Sequence, residues 1–203
     1  MARFAAVVLA AGASRRFGPE NKLCAAVDGE PLIRRVVTTA LEAGISDVVV
    51  VTGNESDQVA QALEGLAVRL AHNPDWETGM GTSIAGGIAA LDDDIDGAFI
   101  VPGDMPFLDP ALFRTLAGVF EQNEFRSIVS PVTISGEQRN PVLWPRRYFS
   151  ELRALPGHEG AKELLRSLAN RTVTIPFGDD MLFADIDNKD DLAIAQRNLE
   201  RPA

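Results

Sequence analysis

The sequence has one cysteine, Cys24, in 203 residues, so no intramolecular disulfide and no thiolate metal cluster can form. That poverty fits a reducing cytoplasm. Histidine is scarce as well, with only His72 and His158 far apart in the chain, so a His-rich metal site would need carboxylates to complete its ligands. Magnesium, an oxygen-seeking ion, is easier to supply. No apolar run approaches the roughly eighteen residues of a membrane helix, and Phe4 to Ala11 runs into Gly-Ala-Ser-Arg-Arg rather than a signal cleavage site. Secretion and membrane insertion are not expected. Nineteen basic residues against twenty-nine acidic ones leave a net charge of -10, which repels nucleic acid over most of the surface.

What is present is an ordinary globular composition, 46% apolar and 24% charged, long enough for one sizeable core. No repeat, low-complexity segment or Gly/Ser/Pro-rich linker divides it. A single domain over residues 1–203 is expected, with Arg201-Pro202-Ala203 as a loose end.

Strand-length apolar runs alternate with helical patterns. Strands are read at Phe4 to Leu9, Asp47 to Thr52, Val68 to Ala71, Ala98 to Val101, Ser127 to Pro131 and Thr172 to Pro176. Helices are read from Pro31 to Gly44, Ser56 to Leu63, Thr82 to Leu91, Ala111 to Glu121, Pro145 to Leu155, Gly160 to Leu168 and Lys189 to Leu199. Val132 to Trp144, turning at Gly136, reads as an inserted β-hairpin. The alternation predicts an α/β fold, a mostly parallel open sheet with helices on both faces and ligands at the carboxyl ends of its strands.

The loop after the first strand, Leu9-Ala10-Ala11-Gly12-Ala13-Ser14-Arg15-Arg16-Phe17-Gly18 followed by Lys22, has a phosphate-binding composition. Small residues let main-chain N–H groups approach anionic oxygens, while Arg16 and Lys22 supply charge. It lacks the spacing of a dinucleotide fingerprint or a P-loop, and a solvated turn with surface arginines would also fit. Asp104 follows a strand, where a metal ligand or an ordinary turn residue would sit. Gly79-Met80-Gly81-Thr82-Ser83 precedes a helix, suiting either an anion site or a capped flexible loop. Asn73 could bond a base or merely turn the chain. Asp185 and Asp187 alternate along a segment read as extended, so only one would face the site. Trp76 and Trp144 suit ring stacking or core packing, and Cys24 reads as a small buried residue.

Together these residues resemble nucleotidyltransferases of the nucleotide-diphospho-sugar transferase fold. Pro102-Gly103-Asp104-Met105-Pro106, Arg139-Asn140-Pro141-Val142, Gly157-His158-Glu159-Gly160-Ala161 and Ala184-Asp185-Ile186-Asp187-Asn188 narrow the likeness to the molybdenum cofactor cytidylyltransferase branch. The resemblance implies CTP as donor, a molybdopterin-type phosphate acceptor, and a molybdenum hydroxylase as possible client. It implies that Leu9, Ala10, Ala11, Gly12, Ser14, Arg16, Lys22, Asn73, Gly79, Gly81, Ser83 and Gly103 contact the nucleotide, with Arg16, Lys22 and Asp104 catalytic. Asp104 and Asp187 would hold Mg²⁺, leaving Asp185 structural, and Asn140, Pro141 and His158 would meet the acceptor. His158 stands where the pattern often has Asp, and Lys162 where it often has Arg. Guanylyl-transferring relatives tend to carry glycine in place of Ala11, whose methyl would disfavour a purine by roughly 1 to 3 kcal/mol. A sugar-phosphate acceptor, or a non-catalytic accessory protein binding a nucleotide cofactor, would use the same loop. The glycine spacing disfavours a nicotinamide-dependent oxidoreductase.

Overall fold

The structure is a computed structural model describing residues 2–199; the expected loose end Arg201-Pro202-Ala203 lies outside the described residues. Nine strands and seven α-helices are present among them. The strands are β1 Phe4–Ala10, β2 Ala26–Val27, β3 Glu30–Pro31, β4 Asp47–Thr52, β5 Arg69–His72, β6 Gly97–Pro102, β7 Ile128–Val132, β8 Val142–Pro145 and β9 Thr172–Pro176. The helices are α1 Leu32–Glu42, α2 Ser56–Ala62, α3 Met80–Ala89, α4 Pro110–Gln122, α5 Phe149–Arg153, α6 Ala161–Ser167 and α7 Lys189–Leu199. The main sheet has seven strands in the order β5-β4-β1-β6-β8-β7-β9, and β2 and β3 form a separate ribbon.

β8 alone runs against its neighbours, β6 and β7; the remaining strand pairings in the main sheet are parallel. The hairpin turns at Gly136, whose φ of 85° suits glycine, and the Gly136 N–H bonds the Thr133 carbonyl. Its arms are β7 and β8 of the main sheet rather than an added ribbon, because β8 slots between β6 and β7.

A parallel sheet covered on both faces requires apolar side chains at every position. In β1, Ala6, Val8 and Ala10 face one core with α1 and α4, while Ala5 and Val7 face the other with α3 and α5. Four consecutive valines of β4 divide the same way. Fully burying one of these valines contributes about 1.5–3 kcal/mol, so a one-residue slip of β1 would misplace the gains of Val7 and Val8. α3 sits unusually close to the sheet: a Cβ on Gly87 would lie 2.2 Å from a Val7 methyl. Its first turn begins at Met80, two residues before the predicted start, which draws Gly81 into the helix.

Asp109 caps α4 by accepting the Ala111 N–H, with Pro110 in the first turn, as the Asp-Pro signal predicts. No helix among the described residues is long and apolar enough to cross a membrane.

Candidate active site

The site lies at the carboxyl edge of β1 and β6. The Gly103 N–H donates to the Leu9 carbonyl at 3.0 Å, locking the two strand ends together. A Cβ on Gly103 would stand 2.7 Å from that same oxygen, so only glycine permits the approach that delivers Asp104 to the cleft. The loop after β1 is pinned by buried Phe17, whose N–H bonds the Ser14 carbonyl at 2.8 Å. Ser14 itself is left-handed, with φ 50°. Asn21 then caps a 3₁₀ turn over Lys22–Cys24 by accepting the Leu23 N–H at 3.0 Å. With Asn21 and Leu23 buried, the Lys22 side chain is aimed at the cleft floor. Ser14 Oγ and Asn21 Nδ2 are buried and bond to no protein atom.

Lys22 Nζ donates to Asp104 Oδ2 at 2.6 Å and to the Ile186 carbonyl at 2.9 Å, and lies 3.5 Å from Asp187 Oδ1. Arg16 reaches the other Asp187 oxygen at 2.9 Å from an exposed position. Asp104, Asp185 and Asp187 each present an oxygen, all within 4.8 Å of one another. The expectation that Asp185 faces away from Asp187 is therefore corrected. Residues 184–187 are not a strand, so the two-residue alternation does not apply. The Ile186 N–H bonds the Asp104 carbonyl at 2.9 Å and its side chain is buried; Asp187 lines the cleft and Asp185 an adjoining cavity, with Asp104 lining both. Partial burial, then the charges of Asp104 and Asp187, push the Asp185 carboxyl above its ordinary range.

Leu9, Ala11, Gly12, Ser14, Arg16, Lys22, Gly79, Ser83, Gly103, Asp104 and Asp187 line one cleft of about 440 Å³. Trp76 and Glu77 line it too. Three of the expected nucleotide contacts do not. Ala10 packs into the core beneath the loop. The Asn73 amide is spent internally: Nδ2 donates to Thr82 and Ser83 hydroxyls at 2.8 and 3.0 Å, and Oδ1 accepts the Asp75 N–H. It positions Ser83, and both of its amide protons are already engaged. Gly81 is buried because a Cβ there would lie 2.1 Å from the Pro156 carbonyl, so its role is close packing of residues 156–159 on α3.

Beside the cleft are two further cavities of about 310 and 460 Å³, both lined by Gln138, Arg139 and Asn140. The smaller has an apolar floor that includes Trp144 and shares Leu9, Met80 and Pro102 with the cleft. Asn140 is thus where an acceptor contact was expected. Pro141 is buried behind it, and His158 is largely exposed and lines no cavity described here, its nearest acidic partner being Glu159 at 3.7 Å. Neither lines these two cavities. Arg139 and Lys162 line the smaller one; the sequence marked Lys162 only as a lysine where the family pattern often has Arg, and gave Arg139 no role of its own. Arg139 is held by Glu137, and the signal for it was the cation inside the Arg139-Asn140-Pro141-Val142 segment itself.

An open α/β sheet with a cationic loop, an aspartate cluster and a strand-end cleft defines a nucleotide-handling enzyme of the nucleotidyltransferase class. The chain belongs to the family described as the MobA-like NTP transferase domain, whose model matches residues 6–173. A relative from Natronomonas pharaonis, named "Probable molybdenum cofactor guanylyltransferase", is 29% identical over 168 residues, 83% of this chain and 77% of that protein. The bifunctional protein GlmU of Sorangium cellulosum is 36% identical over 124 residues, 58% of this chain; the match spans only 26% of that longer protein. Among solved structures, Rv0371c from Mycobacterium tuberculosis superposes with a TM-score of 0.83 at 21% identity, over 97% of this chain and 98% of that one. A second structure of Rv0371c, described as a complex with manganese, gives 0.77 at 21% identity over 97% and 98% of the two chains. These structures share the fold.

Proposed function

We propose that the protein transfers CMP from CTP to the terminal phosphate of a molybdopterin-type acceptor and releases pyrophosphate. The observation that carries this reading is the meeting of Lys22, Asp104 and Asp187 in one cleft, beside a separate cavity of about 310 Å³ that would suit a second substrate. An acceptor phosphate oxygen forms a bond to the α-phosphorus of CTP while the bond from that phosphorus to the bridging oxygen breaks, and the electron pair leaves with pyrophosphate. Such chemistry needs positioning and charge neutralisation rather than an activated serine or histidine. Lys22 and Arg16 are the cations available to the departing phosphates, and the loop from Gly12 to Ser14 offers main-chain N–H groups.

The donor set at the cleft floor is carboxylate oxygen, which suits a hard divalent cation. Asp104 and Asp187 would hold Mg²⁺, with Asp185 close enough to contribute. When bound, the ion supplies neutralisation of triphosphate charge. The manganese described for Rv0371c supports a divalent metal in this fold.

CTP is favoured over GTP by Ala11, a buried residue at the cleft wall whose Cβ is near the space over Gly53. The name of the Natronomonas pharaonis relative favours GTP as the second reading. Arg139 and Lys162 flank an apolar cavity and suit an acceptor with a flat body and an anionic end; a molybdenum hydroxylase is the client such a product implies. Pyrophosphate release measured with CTP or GTP, Mg²⁺ and molybdenum-loaded pterin tests the whole reading. Turnover with CTP is expected. Turnover with GTP alone replaces the donor, and tight binding without pyrophosphate release leaves a non-catalytic carrier.

A further inference from the structure

Lys22 carries three ammonium donors, and the structure gives it three oxygen neighbours: Asp104 Oδ2 at 2.6 Å, the Ile186 carbonyl at 2.9 Å and Asp187 Oδ1 at 3.5 Å. None is left for a phosphate. The two carboxylates that embrace the ammonium are the same two that would hold the divalent ion, so Lys22 cannot stay in place and also serve the nucleotide. A doubly charged ion on those oxygens would repel an ammonium at this range, and the open cleft that Lys22 lines is the space into which its side chain would turn.

We propose that Lys22 is a displaceable counter-ion of the metal site. Without metal it bridges Asp104 and Asp187 and offsets part of their charge, and entry of the divalent cation drives it off toward the triphosphate. This rests on the proposed function for the identity of the metal ligands. Its consequence is an order: the metal-free cleft keeps its main cation turned away from the nucleotide, and loading the carboxylates releases it. Arg16 does not share this device, because it is exposed and, among the described residues, its one ion pair is with Asp187.

The test is binding of Mn²⁺ alone, followed by electron paramagnetic resonance, to the wild type and to Lys22→Met, which keeps the stem and removes the charge. The variant is expected to bind Mn²⁺ roughly tenfold more tightly, the worth of one charge-assisted hydrogen bond no longer competing. Equal or weaker binding overturns the proposal. A second measurement needs no Lys22 variant. The chain has three lysines, Lys22, Lys162 and Lys189, so the ¹³Cε signal of Lys22 is assigned by elimination with Lys162→Arg and Lys189→Arg. Adding Mg²⁺ without nucleotide is expected to move that signal; Mg²⁺ binding that leaves it still overturns the proposal. Pyrophosphate release separates the two readings: turnover with an unmoved Lys22 sinks only the exchange, whereas absence of Mn²⁺ binding by either protein sinks the metal site and the exchange together.

Discussion

The Asp191 carboxylate accepts the backbone N–H of Asp187 at 2.9 Å, and that of Asn188 at 3.1 Å. Asn188 returns the contact by accepting the N–H groups of Asp190 and Asp191, forming a reciprocal cap at the start of α7. The cap therefore holds the backbone of a cleft carboxylate. Asp191→Ala is expected to lower stability by about 1 kcal/mol, roughly 2–4 °C in Tm, and to weaken Mn²⁺ binding several-fold. Asp191→Glu should recover most of both. A lowered Tm with unchanged Mn²⁺ affinity would reduce the cap to a purely structural role.

Gly81 and Gly86 lie in the same helix and predict opposite outcomes. A Cβ at Gly81 meets the Pro156 and Glu159 carbonyls at 2.1 and 2.6 Å, which are backbone atoms that cannot rotate aside. Gly81→Ala should cost about 1–3 kcal/mol and displace residues 156–159. Nothing lies within 4 Å of a Cβ at Gly86, so Gly86→Ala should stabilise by about 0.4–1 kcal/mol. Denaturant melts of the two variants check the pair; equal signs would mean that the packing of the 156–159 segment is unimportant.

The fold was legible because its strands are buried on both faces and its helices carry clear ends, as with Asp109-Pro110 at α4 and Gly44 after α1. Long-range pairing was less so. That β8 leaves the hairpin to lie between β6 and β7 depends on contacts with Gly97 to Ile100, more than forty residues upstream, which periodicity does not encode. At the site, the loop from Leu9 to Lys22 announces itself by composition, but its meeting with Asp187 was implied only by family resemblance. Asp185 was misread because one hydrogen bond, from Ile186 to Asp104, overrides the extended pattern. Asn73 was left open between a base contact and a turn because its partners, Thr82 and Ser83, are nine and ten residues away and local sequence does not show them.

Cys24 sits two residues from Lys22, half-buried, and burial followed by the Glu55 charge raises its thiol above the ordinary value. A raised pKa means less thiolate at any pH below it, so alkylation by iodoacetamide should be slower than that of a free thiol at pH 8 and should keep climbing past pH 9. The same shift favours the protonated thiol in the folded state, so this contribution to stability is present below the unfolded thiol's pKa and is lost as pH rises through the folded one. Glu55→Gln should speed alkylation modestly, since burial is the larger cause. A rate profile matching free cysteine would contradict the assignment.

Asp104 and Arg16 allow charge at the floor of the cleft to be separated from charge at its rim. Asp104 is about four-fifths buried and bonded to Lys22, whereas the Arg16 side chain is 76% exposed. An exposed ion pair contributes about 0–1 kcal/mol to folding, so Arg16→Ala should barely move Tm. Its loss should appear in turnover, about tenfold, and grow smaller with added salt because solvent already screens the rim. Asp104→Asn removes a group from the floor and should lower turnover by on the order of a hundredfold or more, with little dependence on salt. Steady-state pyrophosphate release at low and high ionic strength distinguishes the two. Equal losses with equal salt dependence would mean that both residues act only through the overall field of the cleft, and the division of labour between metal carboxylate and phosphate cation would have to be abandoned.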